Sequence, residues 1–118
     1  MSVEADLYGV LNAICPRTFP DFAPVSTMRP YVTYQQIGGQ VINPIGNDVP
    51  NKQNGEFQIN VWSNTRAEAA ALARQIEAAL RQSSAFIARP LSAPASDYDH
   101  DMEIYGSRQD FSIWSDRQ

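Results

Sequence analysis

Histidine and cysteine occur once each in this 118-residue chain, as His100 and Cys15, and that scarcity removes most covalent chemistry. A Ser-His-Asp or Cys-His nucleophile needs an imidazole to accept its proton. The one available lies in an acidic segment whose composition suits an exposed turn. A zinc site draws on three or four nitrogen, sulfur or carboxylate ligands, which one His and one Cys do not assemble. Cys15 ends an apolar helical pattern and reads as a small core residue, not a reactive thiol. Alone it forms no intrachain disulfide, so no oxidising compartment is implied. Positive charge is also short: nine Lys and Arg against thirteen Asp and Glu give a net charge of -4. Phosphate affinity rests on clustered Lys and Arg. Here Arg66, Arg74 and Arg81 are interleaved with Glu68 and Glu77, a mixed solvated helix face, and no nucleic-acid partner is expected. No apolar run approaches the ~20 residues of a membrane-spanning helix, so a water-soluble protein with no membrane partner is expected. The N-terminal Met1-Ser-Val-Glu-Ala-Asp6 carries acids where a secretory signal carries Lys or Arg, which predicts mature cytoplasmic sequence.

What is present suits one domain spanning residues 1–118, with an ordinary apolar fraction of 43% and a length near the commonest domain size. Leu7, Val10, Leu11 and Ile14 follow helical spacing and Pro16 stops the pattern, predicting a helix over residues 3–14. Pro16, Pro20, Pro24 and Pro30 withhold amide hydrogens along the next fifteen residues, so an irregular connection is expected, pinned to the core by Phe19 and Phe22. Tyr31 to Ile37 is β-branched and aromatic and runs into Gly38-Gly39, predicting a strand and a turn. Gly38-Gly39 lacks the lysine and spacing of a phosphate-binding loop. Residues 38–55, rich in Gly, Asn and Pro, predict a long mobile loop, more than a hairpin requires.

Glu56 to Trp62 alternates strictly, with Phe57, Ile59 and Val61 on one face, predicting a half-buried strand. Thr65-Arg-Ala-Glu68 matches a capping box. It predicts a helix to about residue 82 that buries Leu72, Ile76 and Leu80, each contributing about 1.5–3 kcal/mol. Phe86 to Ala93 suits a short edge strand limited by Pro90, and Ile104 to Trp114 a last strand. The segments ending in Trp62 and Trp114 are expected to pair centrally in an antiparallel sheet. Fold class is thus α+β: an antiparallel sheet of about four strands with two helices on one face. Tyr31, Tyr34, Trp62 and Trp114 suit either core packing or exposed interface anchors.

Asp97, Asp99 and Asp101 imitate the start of a calcium loop, but Met102 stands where the turn needs Gly and Arg108 where a bidentate Glu would close the site. A solvated acidic loop, or a docking surface for a basic partner, is the better reading. No metal or cofactor is expected.

Pro30-Tyr-Val-Thr-Tyr34, the long polar loop, Phe57-Gln-Ile-Asn-Val-Trp62, Thr65-Arg-Ala-Glu-Ala-Ala-Ala-Leu-Ala73 and Asp110-Phe-Ser-Ile-Trp114 together resemble the phage tail-completion (tail terminator) family over nearly the whole chain. The resemblance implies a non-enzymatic α+β subunit, assembled in the host cytoplasm into the virion tail. It implies a hexameric ring that stops growth of the tail tube and presents the tail to the head, with tail-tube and other virion proteins as partners; the ordinary apolar content, with the tube end as template for the ring, predicts a monomeric or weakly associated isolated chain. Val41, Ile42, Ile45, Asp48 and Lys52 on the 38–55 loop, with Asp97, Asp99 and Asp101, are the candidate oligomer or partner contacts. The alternatives are a head–tail connector and, from another class, a small metal-dependent enzyme using residues 97–103.

Overall fold

A computed structural model describes residues 2–117. Ser2 caps the first helix, α1 (Val3–Ile14), its hydroxyl accepting from the Ala5 amide at 3.1 Å, and the helix buries Leu7 and Leu11. Cys15, in extended conformation, ends it and is buried in the core. The proline-rich connection is not wholly irregular: β1 (Thr18–Pro20) pairs in parallel with β2 (Tyr31–Gly38). Three residues bounded by Pro20 were too short to leave an alternating pattern in the sequence. Phe22, expected to pin this segment to the core, instead lies 77% exposed.

β2 pairs antiparallel with β3 (Lys52–Ser63), with a bulge between Gln36 and Gly38. The connecting loop is therefore residues 39–51, shorter than expected, because Lys52 to Gly55 already belong to the strand. Polar residues there alternate across a ladder with the last strand, where polarity conceals strand character from a hydrophobic pattern. Thr65 caps α2 (Arg66–Gln82), accepting from the Glu68 amide at 3.1 Å. The return arm of the capping box differs from expectation: the Glu68 carboxylate takes the hydroxyl of buried Ser63, and that hydroxyl accepts from the Thr65 amide at 3.4 Å. α2 buries Ala69, Ala73, Ile76 and Leu80, while Leu72 is only half-buried at the core margin. The buried stripe is thus centred on small alanines, which let the helix approach the sheet closely.

β4 (Ile87–Pro90), β5 (Ala95–Asp99) and β6 (Ile104–Asp116) complete a six-stranded sheet of order β1-β2-β3-β6-β4. β4 and β5 both lie antiparallel to β6, on different lengths of it, so they form one interrupted edge strand. The class is the expected α+β with both helices on one face, and the sheet has two strands more than four, β1 and β5. Asp97 and Asp99, expected in a loop, lie in β5. β3 and β6 pair without a slip from Lys52↔Asp116 to Ser63↔Tyr105, placing Phe57 opposite Phe111 at the centre of the core with Val32, Ile59, Val61 and Ile113.

Candidate functional site

The register divides the sheet into two chemically different faces. Val32, Tyr34, Phe57, Ile59, Val61, Phe111 and Ile113 face the helices and are buried. Across β2, β3 and β6 the opposite face presents Gln35, Gln58, Asn60, Arg108, Asp110 and Ser112, a polar central field with Trp62 and Trp114 at its two ends, each half-buried. A Cβ at Gly106 would lie 2.7 Å from the Trp62 ring, so glycine is what allows the indole to lie across β6. Tyr34 belongs to the core. Tyr31 lies on the opposite face, buried beneath the 21–30 segment, and burial pushes its phenol up, Arg29 opposing and Asp99 reinforcing the effect.

At the β2–β3 end, residues 39–51 project beyond the sheet, all exposed except half-buried Pro44 and Pro50. Ile45 is 100% and Val41 79% exposed, and Ile42 and Val49 also face solvent. The loop is held at its base. Gln40 N donates to Asn54 Oδ1 at 2.9 Å, Arg117 N to the Asn51 carbonyl at 2.7 Å, and Lys52 pairs with Asp116 across β3 and β6. A Cβ on Gly39 would sit 2.5 Å from the Asn54 carbonyl oxygen, so only glycine permits the exit. Loop and strand border an open concavity of about 560 Å³ whose lining includes Asp48.

The other end of the sheet carries a second concave surface of about 480 Å³, floored by Tyr31, Thr33, Asn60 and Trp62 and walled by residues 21–27 and Met102. Phe22, Val25 and Met28 are exposed there. Asp21 and Ser26 adopt left-handed backbone, φ 63° and 67°, turning the chain so that these side chains point outward. Arg29 ties the segment down through Asn64 Oδ1 at 3.1 Å and the Met102 carbonyl at 2.7 Å.

The candidate contacts of the sequence are thus brought to two places. Val41, Ile42, Ile45, Asp48 and Lys52 gather at the loop end; Asp97, Asp99 and Asp101 lie at the Trp62 end, where β5 turns into β6. The Asp99 carboxylate accepts from the Asp101 and Met102 amides at 3.0 and 3.1 Å, so it shapes the turn. Among the described residues no three His, Cys, Asp or Glu side chains converge as a metal-binding group. His100 sits on the exposed turn, edge-on to Tyr98 at 4.8 Å. No helix among the described residues is long and apolar enough to cross a membrane. Phe22 was expected in the core because a large aromatic is assigned there by default, and Val25, Met28 and Val49 carry no sequence pattern that marks them as contacts. Proline on both sides of Phe22 and Val25 was the available sign that the chain there is irregular.

The fold is an α+β sheet with one face closed by helices and apolar side chains exposed at both ends. The protein is a phage tail structural protein: the chain belongs to the tail completion protein gp17 family, whose model matches residues 3–116. No curated protein sequence matches it. Among solved structures, a chain in the virion of a native gene transfer agent particle shares the fold at TM-score 0.65 and 16% identity, covering 98% of this chain and 96% of that one. A second solved chain matches at TM-score 0.52 and 12% identity, covering 99% and 98%.

Proposed function

We propose that this protein completes the tail by capping the end of the tail tube as a ring of identical subunits, six in the expected arrangement, and that the ring supports joining of tail to head. The chain carries residues 1–118 as one domain, acts through repeated interfaces without cofactor or catalysis, and assembles in the host cytoplasm before residing in the virion tail. The observation that carries the reading is the 39–51 loop, which exposes the apolar side chains of Val41, Ile42, Ile45 and Val49 on a member of the tail-completion family. Isolated apolar residues are ordinary at protein surfaces, whereas a contiguous apolar projection marks a contact site. Val41, Ile42, Ile45, Asp48 and Lys52 serve as contacts at that end, and Asp97, Asp99 and Asp101 at the other. The loop stays mobile in the free subunit and orders on docking.

Electron microscopy of particles lacking the protein tests the role. Overlong tails are expected of a missing terminator; normal-length tails without heads would instead identify a head–tail connector. Co-sedimentation with polymerised tail-tube protein is the biochemical counterpart, and failure to sediment with tube ends would count against capping.

A further inference from the structure

The two apolar surfaces lie at opposite ends of a molecule with extents of 52 × 26 × 24 Å. β3, running between them, spans roughly 36 Å at about 3.3 Å per residue. A loop of thirteen residues tethered at both ends reaches roughly 20 Å, half its length at ~3.4 Å per residue, so it does not cover the distant cavity of its own chain. A second copy can.

Three observations favour that occupant. The loop from Gly39 to Asn47 holds no charged residue, so entering the cavity buries no unpaired charge. The rim of the cavity carries the exposed apolar side chains of Phe22 and Val25, and its lining includes half-buried Trp62. Charge also matches beside the apolar contact: Arg117 stands at the loop base, where Lys52 is paired with Asp116, and Asp21 lines the cavity, with Asp101 and Glu103 on either side of its wall residue Met102 and Arg29 bonded to the Met102 and Glu103 carbonyls.

We propose that the 39–51 loop of one copy docks in the Phe22–Trp62 cavity of the next, a head-to-tail contact in which the two ends of the sheet supply the two halves of a single interface. This deepens, and rests on, the reading of the protein as a ring subunit. Such a heterologous contact repeats from copy to copy and closes into a ring when the rotation permits, whereas loop-to-loop pairing would stop at two.

Cysteine pairing tests the geometry, since Ile45 and Val25 are exposed and their replacement leaves the core intact. Ile45→Cys and Val25→Cys proteins are mixed under mild oxidation, with and without polymerised tail-tube protein. The expected product is the mixed disulfide, and the chain carrying both changes is expected to give a ladder of multimers. Ile45→Asp is expected to raise the concentration for self-association by about tenfold or more, the loss of one anchor residue. Homodisulfides of Ile45→Cys at equal yield would replace this contact with a loop-to-loop pair. No mixed disulfide in either condition would overturn it. If tube co-sedimentation then persists, only this interface falls; if that is lost too, the ring reading falls with it.

Discussion

Gln109 is buried on β6, and its side-chain amide donates both to Glu77 on α2, at 2.8 Å, and to the Ser92 carbonyl in the break between β4 and β5, at 2.9 Å. One side chain thus joins helix, central strand and interrupted edge. The Gln109 hydrogen bond is the leading cause that holds the Glu77 carboxyl below its usual range; burial opposes it and Arg81 assists. Because the folded-state value is lowered, this contribution to stability is complete above the unfolded carboxylate pKa and disappears as pH falls through the lowered value. Glu77→Gln is therefore expected to cost stability near neutral pH, with the deficit shrinking in acid as pH falls through the lowered carboxyl value. Denaturant titrations at neutral and acid pH measure it, and a constant deficit would contradict the assignment. Gln109→Leu removes two bonds at once and is expected to cost roughly 1–3 kcal/mol. At Gly106, alanine would press on the Trp62 ring. An overpacking cost of about 1–3 kcal/mol, with a changed tryptophan emission spectrum, is expected there.

Among elements, α2 carries the expected buried face, with Leu72 at its margin and not at its centre. Ala69, Ala73, Ile76 and Leu80 form the buried stripe and Leu72 flanks it. Leu80→Ala is expected to cost about 2–5 kcal/mol and Leu72→Ala distinctly less, a difference that thermal melting of the two variants resolves. Both helices and the paired strands ending in Trp62 and Trp114 were legible in the sequence because each exposes one face to water and so writes its period into the chain. The short β1 and the polar β5 were not, since neither alternates between core and solvent. Polar Lys52 to Gly55 concealed the start of β3 for the same reason. The site was half legible. Val41, Ile42 and Ile45 stand out within a turn-rich loop, whereas Phe22 and Val25 owe their exposure to the path of the chain after Pro20, which only the fold determines.

Across the whole molecule, stability and contact surface are separable. The core is built from the helix-facing side chains of β2, β3 and β6, and the 39–51 loop adds nothing to it. Replacing residues 41–49 by a short glycine-containing turn is expected to leave thermal melting within about 0.5 kcal/mol of the parent, as for surface changes generally, and to abolish association with tube ends. Melting curves and co-sedimentation on the same sample check both parts, and an unfolded variant would show that the loop supports the fold.

The uninterrupted β3–β6 ladder also has a mechanical meaning. Its twelve residue pairs lie between the loop end and the Trp62 end, and interstrand hydrogen bonds run perpendicular to the strands. Tension applied through the two ends would load those bonds in shear, all together, instead of peeling them one at a time. A subunit gripped at both ends is thereby strongest along its long axis, the direction in which neighbours would pull on it.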